Sequence, residues 1–271
     1  MTINATNGSH EHPRYRAPTR IPTEQYKKWT SFIDKKARAL RKELKCAQGH
    51  LEAIHHASFN WGILPQYQKM NLLTDLSTDF CRILGLSDIR LFSKNSWSSY
   101  KAASLHFKQD YVANFEIAEQ GCYVSSEGDN FSPMVILYMD NEILNDLGLF
   151  PVVSTLGHEI GHYCLDVYYR LLNAPKRNDP MDHQASSYFK GVTTDVKTLT
   201  DYLDVMNFLI EDEVHILRKA NLLEEIYAAI AREDYEHHET LTRKYLRLPD
   251  EQGADYVGKS LSKTIQSLLC D

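Results

Sequence analysis

One apolar stretch constrains the fold of this chain more than any other feature. Residues 152–169 read VVSTLGHEIGHYCLDVYY, with no proline and with apolar residues on both sides of His158 and His162. That pattern predicts a helix. Residues four apart lie on one face of a helix, so both imidazoles point the same way. Burying them together with Glu159 costs free energy unless a partner satisfies them. The stretch therefore predicts that a metal ion or another partner is bound at this face.

The residue types at this face favour a zinc ion. Neutral imidazole nitrogen is a preferred ligand of Zn²⁺, and a catalytic zinc keeps one position open for water. The ion lowers the pKa of that water to about 7. Glu159, which follows the first histidine, can accept the water's proton and later pass it to a leaving amine. We predict one zinc ion per chain, held by His158 and His162, with Glu159 as the catalytic base.

Residues 155–164, TLGHEIGHYC, resemble the active-site helix signature of the zincin metallopeptidases. The resemblance implies a zinc metallopeptidase that hydrolyses peptide bonds in a protein or peptide substrate. It also implies a small sheet upstream of the helix, with an edge strand that holds extended substrate. A metzincin would need glycine and then His or Asp at the positions of Leu165 and Tyr168, so that branch is rejected. The pattern is closer to the gluzincins, which take a third ligand, a glutamate, from a later helix.

The third ligand is sought in residues 207–215, NFLIEDEVH, which offer Glu211 and Glu213. Glu213 falls inside the apolar stripe of its helix, where a carboxylate would need a cation. Glu211 lies on the polar face, and gluzincin ligand helices carry a polar residue four positions after the glutamate. His215 stands at that position instead of the more usual Asp. We choose Glu211 as the metal ligand and keep Glu213, and after it His215 and Asp166, as alternatives.

Two further roles are left open by the sequence. Asp166, one turn past His162, either orients that histidine or faces water. The gluzincin resemblance also calls for a hydrogen-bond donor to the developing oxyanion from the C-terminal part of the chain. The residues eligible for this second role are Tyr235, His237, His238 and Tyr245.

Periodicity along the chain predicts an α+β fold of the zincin-like type. Apolar residues recur at helical steps over 23–57 and again over 71–84, where Gly85 is placed to end the helix. Short β-branched and aromatic segments then predict one small, mainly antiparallel sheet from residues 89–92, 104–107, 111–117, 121–125 and 134–139. Helical patterns return over 152–169, over 194–223 and in the last part of the chain up to residue 269. Strands and helices are therefore segregated, as in α+β proteins.

The predicted organisation is a flexible tail at residues 1–22 followed by one catalytic unit at 23–271. Within that unit, N-terminal helices (23–85) precede the sheet and motif helix (86–172) and a C-terminal helical lobe (192–271). Residues 173–191 contain two prolines and few apolar side chains, so they are predicted to be a loop.

Charge and composition exclude several classes of protein. A formal net charge of -6 gives no electrostatic reason to expect nucleic acid or an anionic membrane as a partner. No apolar run approaches the roughly 20 residues that span a bilayer. The five cysteines form an odd set without close pairing, and the first residues lack the pattern of a secretory signal peptide. The expected location is cytoplasmic, or outside the cell after export without a cleaved signal.

Two other functions remain as alternatives. The motif does not encode the substrate, so a zinc hydrolase that acts on a non-peptide amide would have the same residues. A non-catalytic helical interaction protein is the second alternative, because residues 23–57 and 234–271 have no role in the predicted chemistry. The absent signal peptide also prompts the hypothesis of a narrow-specificity protease that acts as a toxin or effector in another cell. Oligomeric state is not predicted.

Overall fold

The computed structural model describes residues 22–93, 121–127, 130–137, 148–176, 178–191, 193–211 and 213–270. Side chains at 126–127, at 193 and at 207–216 are outside the description. The predicted tail at 1–22 and the predicted strands at 104–107 and 111–117 therefore lie almost wholly or wholly outside the described residues.

The N-terminal region forms three helices where the sequence predicted two. Helix α1 (Thr23–Cys46) and helix α2 (Gln48–Asn60) are separated at Ala47, whose backbone is not helical (φ -98, ψ 79). In one continuous helix, Ile54 would lie about 80° around the helix axis from the buried stripe that ends at Leu44. The break at Ala47 lets both Leu44 and Ile54 reach the core. A short 3₁₀ helix, Trp61–Ile63, then leads to α3.

Helix α3 (Gln66–Leu84) ends where the sequence predicted. Gly85 has a left-handed backbone (φ 79), and the amide of Leu86 reaches back to the carbonyl of Cys81. Glycine is favoured at this position because a β-carbon is strained at such a φ. The helix starts five residues earlier than predicted, directly after Pro65, a residue that suits the boundary of a helix.

The described sheet has three strands in the order β1-β3-β2: β1 (Arg90–Ser93), β2 (Gly121–Glu127) and β3 (Asn130–Leu137). Strands β2 and β3 are antiparallel, whereas β1 runs parallel to β3, with Arg90 opposite Met134. The described sheet is therefore mixed: the β2–β3 pair is antiparallel, as predicted, whereas the parallel β1–β3 pair departs from the prediction. A parallel pair needs a long crossover connection, which residue periodicity does not reveal.

Central strand β3 is buried on both faces. Val135 and Leu137 join the main apolar core, whereas Met134 and Ile136 form a second cluster on the opposite face. Successive side chains of a strand point to opposite faces, so an uninterrupted apolar run suits a strand covered on both sides.

The remainder of the described chain is helical. Its elements are α4 (Leu149–Asn173), α5 (Pro180–Ala185), a 3₁₀ turn (Ser186–Tyr188), α6 (Thr193–Thr198), α7 (Thr200–Glu211), α8 (Glu213–Ala231), α9 (Tyr235–Tyr245) and α10 (Pro249–Leu268). The predicted loop at 173–191 thus contains a short helix, which Asp179 caps through the amide of Met181. Mostly helical content with one small sheet is loosely consistent with the α+β class.

Helix α4 lies at the centre of the described structure. It packs most extensively against α10 and also contacts β2, β3, α3 and α7. The apolar residues of α4 belong to one core shared with α1, α3, α7 and α10. The motif helix is therefore held on several sides, which fixes the direction of its polar side chains.

Candidate metal centre

Helix α4 presents both motif histidines on one face, as the four-residue spacing predicted. The Nε2 atoms of His158 and His162 are 3.1 Å apart, and their ring centroids are separated by 4.8 Å. Each side chain keeps 19% of its surface exposed. The two nitrogens thus converge on one point, and both rings are partly exposed.

A third group reaches this point from helix α10. Glu251 lies in the first turn of that helix, with its Oε2 atom 3.1 Å from His158 Nε2 and 3.5 Å from His162 Nε2. Its side chain is only 1% exposed. His158, His162 and Glu251 form a group that could hold a metal ion, with all three ligand atoms within 4.8 Å of one another.

The hydrogen bonding at this point leaves a buried atom unsatisfied. Glu251 Oε2 has no hydrogen-bond partner of acceptable geometry among the described residues, although both histidine nitrogens are near. A buried polar atom without a partner costs free energy. The two Nε2 atoms also face each other at 3.1 Å; a proton on one of them can form a hydrogen bond to the other, whereas two lone pairs at that separation would repel. A cation placed among the three atoms would satisfy all of them.

Small residues bring α10 close enough to α4 to deliver this carboxylate. A β-carbon on Gly161 would lie 2.8 Å from the Cα of Ala254, and one on Gly157 would lie 2.9 Å from the Cα of Gly258. Glycine inside a helix costs roughly 0.5–1 kcal/mol relative to alanine. At these positions glycine permits a backbone approach that larger side chains would prevent. Glu251 lies one turn before Ala254, so this close approach brings its carboxylate to the two histidines.

We expect Gly258→Ala to weaken both the fold and the metal centre. The new methyl group would collide with the carbonyl oxygen of Ser154, so α10 would have to move away from α4. Overpacking of this kind lowers the free energy of unfolding by about 1–3 kcal/mol, which thermal denaturation would measure. Gly49→Ala is the matched control, because a β-carbon there meets nothing within 4 Å. An unchanged melting temperature for Gly258→Ala would contradict this account of the helix contact.

Helix α1 packs against the start of α10. Trp29 donates a hydrogen bond from Nε1 to the carbonyl of Gly253 at 3.0 Å, and its ring stacks on Tyr202 with centroids 5.0 Å apart. Trp29 and Tyr202 are both fully buried. The N-terminal helix, which the zincin resemblance does not cover, therefore helps to position the first turn of α10.

The charges around the three ligand atoms favour an ionised carboxylate. Burial alone would raise the pKa of Glu251, but Lys219 and the two histidines hold it well below its usual range. Burial also opposes protonation of His158, yet the carboxylates of Glu251, Glu159 and Asp255 outweigh it and raise the histidine's pKa. In the metal-free protein, a proton and a metal ion would compete for the same anionic site.

Glu159 lies beside the group without belonging to it. Its side chain is buried, with 6% of the residue exposed. Burial raises the pKa of Glu159, and the neighbouring His158 and His162 partly oppose that rise. Glu159 thus interacts electrostatically with both motif histidines, and its role as catalytic base stays a prediction.

The third ligand of the sequence prediction was Glu211, with Glu213 and His215 as alternatives. Glu211 ends α7 and Glu213 begins α8, but the side chains of all three residues are outside the described part of the structure. Their roles therefore stay predictions. The described carboxylate that meets both motif histidines is Glu251, which the sequence prediction did not include.

A signal for Glu251 was present in the sequence. Asp255 follows it by four residues, which is the spacing and residue type that gluzincin ligand helices carry, whereas Glu211 is followed by His215. Asp255 acts on His158 through its charge and pairs with Lys259 at 2.6 Å. The sequence prediction considered Glu211, Glu213, His215 and Asp166 for this role and did not apply the spacing pattern to Glu251.

Asp166 does not take either of the metal-site roles that the sequence suggested for it, orientation of His162 or metal binding. Its Oδ2 atom accepts a hydrogen bond from the hydroxyl of Tyr123 at 2.9 Å, and its Oδ1 atom accepts one from Arg170 at 2.8 Å. Arg170 also contacts Asp182 in α5 at 3.2 Å. Asp166 therefore links α4 to the sheet and, through Arg170, to α5.

The four proposed oxyanion donors occupy different places. Tyr245 donates a hydrogen bond from its hydroxyl to Glu251 Oε1 at 2.9 Å, so it reaches the metal centre. Tyr235 is 71% exposed. His237 lies in the exposed first turn of α9, and the Nε2 atom of His238 faces the hydroxyl of Thr242. Tyr245 is the candidate that contacts a residue of the metal group.

Comparisons with protein-family models, with curated proteins and with solved structures each found no match. The fold and the site define a mostly helical protein with a small mixed sheet and a His-His-Glu group that could hold a metal ion. None of the described helices combines the length and apolar character needed to cross a membrane.

Proposed function

We propose that the protein is a zinc-dependent peptidase of the gluzincin-like zincin type. The observation that carries the proposal is the convergence of two histidine nitrogens and one buried, unsatisfied glutamate oxygen beside Glu159. Two His and one Glu form a recurrent ligand set of catalytic zinc, which keeps the fourth position for water. The composition of the group thus supports a catalytic site more than a structural one, which would have four protein ligands.

The separations among the three ligand atoms also suit zinc. Tetrahedral zinc with bonds of 2.0–2.2 Å places neighbouring ligand atoms about 3.3–3.6 Å apart. The observed separations are 3.1 Å between the two Nε2 atoms, and 3.1 Å and 3.5 Å from these atoms to Glu251 Oε2. The group requires little rearrangement to accept an ion of this size.

The mechanism assigns each residue a separate task. Zinc, when bound, would lower the pKa of a water molecule and polarise the substrate carbonyl. His158, His162 and Glu251 would hold the ion through Nε2, Nε2 and Oε2. Glu159 would take the proton from the attacking water and return it to the leaving amine. Both histidine side chains keep part of their surface exposed.

The position of β2 supports a polypeptide as substrate. This strand lies at one edge of the described three-stranded sheet and packs against α4, with Gly121 close to Thr155. An edge strand can pair with an extended peptide through backbone hydrogen bonds. A peptide paired there would run alongside the helix that carries His158 and Glu159.

A peptide-library assay tests this function. We expect the zinc-loaded protein to generate new peptide termini, detected by mass spectrometry. Chelation should stop the cleavage and added zinc should restore it. Zinc-loaded protein that cleaves none of the peptides would contradict the peptidase assignment and favour a non-peptide amide as substrate. Protein that retains no zinc after zinc is supplied would contradict the metal assignment and favour the interaction-protein alternative.

A further inference from the structure

The second oxygen of Glu251 has two donors of its own. Lys219 Nζ lies 2.5 Å from Oε1, and the hydroxyl of Tyr245 donates to the same atom at 2.9 Å. The first oxygen, Oε2, faces the two histidines and has no hydrogen-bond partner of acceptable geometry among the described residues. The two oxygens of one carboxylate are therefore used differently, with Oε1 held by the protein and Oε2 left for the metal.

Lys219 is itself held in place by two consecutive carboxylates. Its Nζ atom lies 2.6 Å from Asp250 Oδ2 as well as 2.5 Å from Glu251 Oε1, and it sits over the ring of Tyr245 at 5.6 Å from the centroid. Burial would lower the pKa of Lys219, but Glu251 and Asp250 raise it well above its usual value. The side chain stays an ammonium group, which has three N–H donors for these partners.

Both donors to Oε1 come from a hairpin of two helices, α8 and α9. The two helices pack mainly against each other, and Ile226, Ala229 and Leu241 form a small apolar core between them. That core is separate from the main core around α4 and α10. Lys219 and Tyr245 therefore join the hairpin to the first turn of α10 at the residue that completes the metal group.

We propose that Lys219 and Tyr245 are positioning residues that fix the Glu251 carboxylate so that it offers only Oε2 to the metal. The inference rests on the metal centre of the proposed function and adds two residues that do not touch the ion. It also means that the α8–α9 hairpin contributes to metal affinity through its contact with α10.

The physical basis is the rotational freedom of a carboxylate. An unrestrained glutamate can turn about its side-chain bonds and present either oxygen, or both together. Ordering it when the metal binds would cost conformational entropy. Donors on Oε1 remove that cost before the metal arrives. Residues that orient a metal ligand in this way typically change metal affinity 10–100-fold when they are mutated.

A purely electrostatic role for Lys219 predicts the opposite result. A cation beside the metal ligand repels Zn²⁺ and withdraws charge from the carboxylate, so its removal would tighten zinc binding. The positioning role predicts weaker binding on removal. At a pH where Glu251 stays ionised without Lys219, the sign of the change in affinity therefore separates the two roles.

The experiment measures zinc affinity by competition with a chelator in the full-length protein. We expect about 10–100-fold weaker binding for Lys219→Met, a smaller loss for Lys219→Arg, which keeps the charge, and a measurable loss for Tyr245→Phe, which removes one hydroxyl. Lys36→Met is the matched control, since Lys36 forms a partly buried ion pair with Asp195 at 2.8 Å that joins α1 to α6. It should bind zinc like the wild type.

Cobalt substitution provides a second readout that does not depend on catalysis. We expect the visible absorption of the Co²⁺-loaded protein to change in Lys219→Met and Tyr245→Phe because the carboxylate binds differently, and to be unchanged in Lys36→Met. Wild-type or tighter zinc affinity in both Lys219→Met and Tyr245→Phe would overturn the proposal. If Lys219→Met does not fold, the zinc affinities of Tyr245→Phe and Lys219→Arg test the proposal.

These measurements separate the positioning role of Lys219 and Tyr245 from the proposed peptidase function. A wild-type protein that binds zinc but cleaves no peptide leaves the positioning result intact, because affinity and absorption are the readouts. A wild-type protein that binds no zinc overturns both.

Discussion

Glu159→Gln is expected to lose hydrolysis while keeping its zinc. Glutamine preserves the shape of this buried side chain but cannot accept the proton of the attacking water. Loss of general acid–base catalysis typically costs 10²- to 10⁴-fold in rate. Glu159 is not one of the three converging ligands, so metal content should stay near one ion per chain. The measurements are kcat/KM on a peptide selected from the library and zinc per chain.

The control for this variant is Glu239→Gln, which changes the same residue type on the exposed surface of α9, where Glu239 pairs with Arg243. It should retain wild-type turnover and zinc. Wild-type activity in Glu159→Gln would contradict the role of Glu159 as base. Loss of zinc from Glu159→Gln would show that this residue contributes to metal binding.

Glu251→Gln is expected to lose zinc, whereas Glu211→Gln and Glu213→Gln keep it. The substitution replaces a buried, charged ligand atom with a neutral amide at the point where both histidines meet. We expect zinc to bind at least ~100-fold more weakly, because removal of a ligand should exceed the effect of removing a residue that only orients one. Zinc per chain after purification without added metal, followed by chelator competition, measures the effect.

The three glutamine variants test the choice of third ligand directly. The opposite pattern, with zinc lost from Glu211→Gln and retained in Glu251→Gln, would favour the ligand that the sequence suggested. Thermal unfolding of each variant separates loss of the ligand from loss of the fold, since Glu251 also pairs with Lys219.

Much of the fold could be predicted from residue patterns because those patterns are local. The buried stripe of α1, the end of α3 at Gly85 and part of the strand predicted at 134–139 follow from periodicity and from one backbone preference. The break at Ala47 was missed because each half of that segment has a helical pattern of its own. The parallel pairing of β1 with β3 was missed because it joins segments distant in sequence.

The candidate site shows the same difference between local patterns and contacts that are distant in sequence. The sequence by itself determined that His158 and His162 share one face of a helix with Glu159 beside them, because a four-residue spacing fixes that geometry within one element. Only the tertiary structure decided that Glu251 meets them. Its approach depends on the contact of Gly157 and Gly161 with α10 and on donors from a separate hairpin. Such an arrangement is set by packing between elements distant in the chain; the spacing of Glu251 and Asp255 matches a ligand-helix pattern but does not say which residues that helix meets.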